Sequence, residues 1–201
     1  MGSTNFSPFF FAQPLPQKRL LSTLEFLEIP LYLKAIMDAE FLRTVSILRQ
    51  LNTTELESFS SLLTLNEVKP RQRLTEEGTP VLALSIICTG VVHIRRLAQK
   101  REMLLGRLGP GGFFGEINLF DPGLATASIY AMKPSTIASV PYDSLRAYWK
   151  EHPDTGYKVV SAMMTEMCRR FRLTSDRLVN LAYWDRSDAS LPPEAKIPPT
   201  S

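Results

Sequence analysis

Hydrophobic and polar positions change rhythm twice along the chain. Between Ser22 and Gln50 the apolar residues Leu24, Leu27, Leu33, Ile36, Met37, Phe41, Val45 and Leu48 advance mostly by three or four, with a break at Pro30. That spacing predicts short amphipathic helices. A further helix is predicted just after Asn52, Thr53 and Thr54, which are cap candidates. Glu55 and Glu57 sit in its first turn, and Leu56, Phe59, Leu62 and Leu63 form its apolar face. From Leu65 the rhythm becomes strand-like. Short β-branched runs cover Leu65–Val68, Arg73–Thr75, Leu82–Thr89, Val91–Arg96, Met103–Leu108, Ala127–Met132 and Thr136–Pro141, the pattern of a small barrel or jelly roll. Helical period returns at Tyr142–Lys150 and again beyond Pro153. There Val160, Met163, Met164, Met167, Phe171, Leu178 and Leu181 read as one apolar stripe on a long helix. Such a stripe either lies on its own domain or pairs with a copy of itself.

The expected organisation is therefore a flexible arm over 1–20, a helical segment over 21–63, a β-barrel over 64–141, helices over 142–184 and a disordered Pro-rich tail over 185–201. The fold class is α+β, mainly β. The arm carries Phe9, Phe10 and Phe11 without a preceding cation, unlike a secretory leader, and no run reaches the roughly 18 apolar residues of a spanning helix. A cytoplasmic protein with no membrane association is expected.

Composition narrows the chemistry. The 201 residues hold 23 Lys and Arg against 20 Asp and Glu, a net charge of +3, so bulk charge does not call for nucleic acid. Cys88 and Cys168 lack metal-ligand spacing and read as free thiols. His93 on a strand and His152 beside Pro153 suggest no haem or metal site. Nucleophile-elbow, zinc-protease and P-loop motifs are absent from the sequence, as is a convincing carboxylate pair, so no enzyme is expected. Glu76 and Glu77 are expected to be solvated. The basic run Arg95–Glu102 belongs at a hairpin tip, as a solvated turn.

The most informative stretch is Arg107–Ala131, RLGPGGFFGEINLFDPGLATASIYA. It sets glycines, one acid and small hydroxylated residues between two strand-like runs. Exposed N–H groups at a helix start attract anions, and glycine lets a backbone approach a ligand closely.

The turn TEEGTP (Thr75–Pro80), the hairpin ICTGVVHI (Ile87–Ile94) and LGPGGFFGEINLF (Leu108–Phe120) together resemble the cyclic-nucleotide-binding domain family of catabolite-activator-type effector domains and protein kinase A regulatory subunits. The likeness runs from about Phe41 to Val179. It implies a jelly-roll barrel with N-terminal helices and a long C-terminal helix, with Phe114, Gly115, Glu116 and Ile117 against the cyclic phosphate and ribose of cyclic AMP or cyclic GMP. Glu116 would accept a hydrogen bond from the ribose 2′-hydroxyl. The family's phosphate-clamping Arg falls on Ala125, followed by Thr126, whose hydroxyl remains as a polar handle. Neither Arg nor Lys occurs between Gly111 and Ala131, and a methyl group cannot replace a charged planar fork.

Two readings follow. The chain is a non-catalytic regulatory module that binds a cyclic nucleotide weakly, or another small ligand, with or without an Arg supplied from elsewhere. Alternatively, it is a degenerate, ligand-free scaffold. In either case the implied partner is a protein, met through the N-terminal arm or the C-terminal helix, or a second copy through that helix. The family's DNA-binding module would need on the order of 60 residues, whereas 22 follow Val179, so no DNA contact is expected.

Overall fold

A computed structural model describes residues 39–99 and 101–185; the expected arm, the helical positions before residue 39 and the tail from residue 186 lie outside the described residues. Helices α1 (Ala39–Thr44) and α2 (Thr53–Ser60) precede strands β1 (Thr64–Val68), β2 (Arg73–Thr75), β3 (Ala83–Thr89), β4 (Val92–Ala98), β5 (Arg101–Leu108) and β6 (Phe113–Phe114). The short helix α3 (Glu116–Phe120), strands β7 (Ser128–Ala131) and β8 (Ser135–Pro141), and helices α4 (Tyr142–Glu151) and α5 (Pro153–Asp185) follow.

The strands form two antiparallel four-stranded sheets, ordered β1-β8-β3-β6 and β2-β7-β4-β5. This is the jelly-roll barrel with a long C-terminal helix that the sequence leads one to expect. Period-two alternation divides the core. On β3 and β8, Ile87 and Ile137 join Val68, Phe114, Val92, Ile129 and Ala131 in a cluster between the sheets. Their neighbours Leu84, Ile86, Ala138 and Val140 face the other way and pack with the helical residues Leu42, Leu56, Phe59, Leu145, Val159 and Met163. β3 is thus buried on both faces.

Two local readings need correction and one is narrowed. The helix through Phe41 stops at Thr44, and Val45 and Leu48 reach the core from the turns that follow. Apolar spacing marked their burial but not their backbone. Among the cap candidates Asn52 is the cap: its Oδ1 accepts from Glu55 N at 2.9 Å, while Glu55 Oε2 accepts from Asn52 N at 2.8 Å, a reciprocal capping box. Glu77 is not simply solvated, because its carboxylate accepts from Leu97 N at 3.0 Å and Arg96 Nε at 3.3 Å, pinning the turn to β4.

The expected apolar stripe on α5 is split. Val159 and Met163 are fully buried, whereas Met164, Phe171 and Leu178 are exposed. Consecutive positions such as Met163 and Met164 lie about 100° apart around a helix, so the expected stripe is wide enough to span a buried and an exposed face. The buried part sits tightly on α4. A Cβ at Gly156 would lie 3.0 Å from Trp149 Cγ, so glycine sets the closeness of the two helices. Among the described residues, no helix is long and apolar enough to cross a membrane.

Candidate functional site

The cradle is built where β6 runs into α3. Gly115 is the cap residue of α3 at φ 90°, a left-handed conformation that a side chain resists. A Cβ there would also lie 2.4 Å from Ala83 O, so Gly115 is fixed by backbone angle and by space. The Tyr142 hydroxyl donates to Gly115 O, anchoring the α3 start to α4. Burial, reinforced by the nearby Glu116 carboxylate, pushes the Tyr142 phenol up to about 12, so it remains a donor throughout the physiological range.

The other wall is the Asp121–Ala127 segment. Ala125 N donates to Thr79 O at 2.8 Å and Gly78 N donates to Ala125 O at 2.9 Å, tying this loop to the TEEGTP turn. Asn118 Nδ2 donates to Gly123 O at 2.8 Å, closing the loop on α3. These bonds bring the candidate residues Phe114, Gly115, Glu116, Ile117, Ala125 and Thr126 onto one cavity of about 90 Å³. Ala125 is buried, and Ile117 is exposed at the edge.

The cavity also has a residue that local sequence reading did not name. Arg170, on α5, lines it. Its Nη1 donates to Glu116 Oε1 at 2.8 Å, its Nη2 to Phe113 O at 3.2 Å, and its Nε to Glu166 Oε1 at 3.0 Å. The guanidinium also lies 4.5 Å from the centre of the Phe113 ring, a cation–π contact. Glu166 in turn receives Arg169 Nη2 at 2.6 Å. Two acids and two bases thus form one hydrogen-bonded network that reaches the cavity through Glu116 and Arg170.

Burial pushes the Glu116 carboxyl above its usual range, and the charge of Arg170 pulls it back. The Glu166 carboxyl is held below its usual range by hydrogen bonds from Arg169 and Arg170. The only sequence signal for Arg170 was its place beside Phe171 on a helix expected to pack on the barrel. Nothing in the Gly-rich stretch points 54 positions ahead.

The remaining chemistry-bearing residues lie elsewhere. Cys88 is a buried thiol, pushed up to about 11 by desolvation, and Cys168 is exposed. Arg95 is engaged by Glu102 at 3.0 Å and Arg96 by Glu77. The basic hairpin therefore spends part of its charge within the protein. Among the described residues there is no group of three or more His, Cys, Asp or Glu able to hold a metal ion.

Comparisons with known proteins agree with the fold. Residues 65–152 match the family described as "Cyclic nucleotide-binding domain". A CRP-like cAMP-activated global transcriptional regulator from Mycobacterium tuberculosis is 34% identical over 110 residues, 54% of this chain and 47% of that protein. The match therefore spans about half the length of that regulator. A cyclic nucleotide-binding domain from Methylobacillus flagellatus superposes with a TM-score of 0.65 at 24% identity, covering 74% of this chain and 83% of that one. The catabolite activator protein of Thermus thermophilus gives 0.62 at 23% identity, covering 69% and 63%. At these identities the two structures show a shared fold.

Proposed function

We infer, from the membership of residues 65–152 in the cyclic nucleotide-binding domain family, that the chain is a non-catalytic regulatory module whose cradle takes a cyclic nucleotide with Arg170 in the role that Ala125 cannot fill. The observation that carries this reading is the placement of Arg170 on the cavity, bonded to Glu116 at 2.8 Å. A guanidinium offers a charged fork matched to phosphate oxygens. A cyclic phosphate entering between Gly115 and Thr126 would compete with Glu116 for that fork, leaving the carboxylate to accept from the ribose hydroxyl.

As it stands the cavity holds about 90 Å³, well below the roughly 300 Å³ and more of ordinary small-molecule sites. Entry of a nucleotide therefore requires Arg170 and its helix to shift. Because Arg170 belongs to α5, exchange of its partner links the cradle to the helix that presents Met164, Phe171 and Leu178 outward. A ligand preferring one position of α5 shifts the population between positions. We assign the protein contact to this exposed side of α5, with a second copy as partner. Tyr157, Met164, Phe171 and Leu178 are all exposed and recur every seven residues, the repeat of a two-helix seam.

Isothermal calorimetry with cyclic AMP and cyclic GMP tests the reading. Saturable binding that weakens in Arg170→Ala is expected. Heat-free titrations at millimolar ligand would favour the ligand-free scaffold instead, a reading supported by the network that closes the small cavity.

A further inference from the structure

The inner face of the first sheet carries a polar rung where a sandwich core is ordinarily apolar. Ser139 pairs in register with Thr64 on one side and Ser85 on the other, and Ser85 pairs with Phe114. Residues directly opposite one another share a face. Ile137 and Ile87, two positions further along β8 and β3, belong to the cluster between the sheets, so Ser139 and Ser85 face the same interior. There they border a cleft of about 490 Å³, in the size range of preformed small-molecule sites. Its far wall comes from β2 and the turn after it, including Thr75, Thr79 and Val81.

Ser85 is 7% exposed, and its Oγ lies 2.9 Å from Ser139 Oγ, the one side-chain hydrogen bond of either hydroxyl among the described residues. Two hydroxyls joined by one bond leave one O–H and several lone pairs unspent. These face a space enclosed by β1, β8, β3 and β2 together with the turn that follows β2. Phe114, Val81 and Ile137 add apolar surface beside them. Thr75, Val81 and Phe114 also line the cradle, so the two cavities share a wall.

The charges at the cleft decide what class of guest fits. Its charged lining residues are Glu67, Arg73 and Glu76, two acids against one base, and Arg73 Nη2 is already 2.7 Å from Glu76 Oε2. That balance offers no anion site, in contrast to the cradle with Arg170. Hydroxyls with unspent bonds beside an aromatic ring instead suit an uncharged compound with several hydroxyl groups and one apolar face.

We propose that the cleft between β1–β8–β3 and β2 binds a neutral polyhydroxyl small molecule of monosaccharide size, held by the Ser85–Ser139 hydroxyls and packed on Phe114. The site is distinct from the cradle, and the proposal does not depend on cyclic nucleotide binding.

The test is an amide-resolved NMR titration of the whole chain with D-glucose, D-galactose and myo-inositol, each to high millimolar concentration. At least one probe is expected to give saturable shifts at Ser85, Ser139, Thr75 and Phe114. A Ser85→Ala/Ser139→Ala variant with an otherwise native spectrum is expected to bind it about tenfold more weakly, the scale of a lost hydrogen bond. Should that variant fail to fold, Ser139→Ala alone, at a residue that lines the cleft and not the cradle, is read in its place. The proposal is overturned if none of the probes saturates, if shifts centre on Glu116 and Thr126 instead, or if the variant binds as tightly as the native chain. A parallel cyclic AMP titration, read at Glu116 and Thr126, reports the cradle separately.

Discussion

Arg170 Nη1 and Glu116 Oε1 meet at 2.8 Å across 54 positions of sequence, fastening the long C-terminal helix to the first residue of α3. The pair is well shielded, with side chains 27% and 7% exposed respectively, so its loss differs from that of a surface ion pair. Arg170→Ala leaves Glu116 buried without its cation and is expected to destabilise the fold by about 1–3 kcal/mol in urea unfolding. Cyclic nucleotide affinity should fall about tenfold or more with it. Arg170→Lys keeps the charge without the fork and should lie between. Equal or tighter binding by Arg170→Ala would show that Arg170 only plugs the cavity.

Ala125→Arg asks the complementary question. Ala125 is buried against the cradle, and both its backbone bonds are made to the Gly78–Thr79 turn, so a longer side chain has a fixed starting point. A fork placed there would add a charge-assisted contact to phosphate. We expect a gain of one to two orders of magnitude in cyclic AMP or cyclic GMP affinity by calorimetry, from about 1.5–3 kcal/mol. An unchanged affinity in a folded variant would mean that position 125 does not address the phosphate.

The parts of this architecture that were legible in sequence are those set by local rules. Short β-branched runs such as Leu82–Thr89 and the turn glycines marked the barrel, and the candidate residues Phe114–Ile117 are consecutive in the chain. Asn52 was legible as one of three cap candidates and Glu55 as a first-turn acid, though not their reciprocal bonds. What escaped was set by tertiary contact. Met163 and Met164 look equivalent in a list of apolar residues, yet one is fully buried and the other 61% exposed. They lie about 100° apart around a helix, and only the position of the barrel decides which one it covers. Arg170 likewise resembles an ordinary surface base four residues after Glu166 until the fold brings Glu116 to it.

Gly115 offers a direct check on the cradle's backbone. Gly115→Ala meets both a positive φ and a close approach to Ala83 O. A residue held at such an angle costs about 1–3 kcal/mol, and relief of the contact must move β3 or α3. The expected result is a lowered urea midpoint together with lost ligand binding, whereas Gly78→Ala, at φ 80° with open space around it, should cost only the backbone term.

Glu55 makes stability depend on acid. Its carboxyl is held below the usual range chiefly by the hydrogen bond from Lys158, then by Asn52 N. Lys158 Nζ lies 2.7 Å from Oε1. A folded-state value below the unfolded one means the contribution is present above the unfolded carboxylate range and is lost as pH falls through the folded value. Glu55→Ala should therefore cost about 1–2 kcal/mol near neutrality, through the cap and the ion pair. The difference from the native chain should shrink on acidification below about pH 4. A pH-independent difference in urea midpoints would assign the effect to packing alone.

The seam proposed for α5 makes the last prediction. Phe171 is 73% exposed and flanked at seven residues by Met164 and Leu178, each more than 60% exposed. A two-stranded coil places such positions against their own copies. Phe171→Glu would set two carboxylates face to face there, and is expected to convert a dimer into a monomer in sedimentation equilibrium without changing the far-ultraviolet helix signal. Phe171 makes none of the cradle's hydrogen bonds, whereas the adjacent Arg170 does, so the variant also separates assembly from binding. Cyclic nucleotide affinity that survives monomerisation would mean each cradle works within one chain. A native chain that sediments as a monomer throughout the micromolar range would remove the second copy from the proposal and leave the stripe to a different protein.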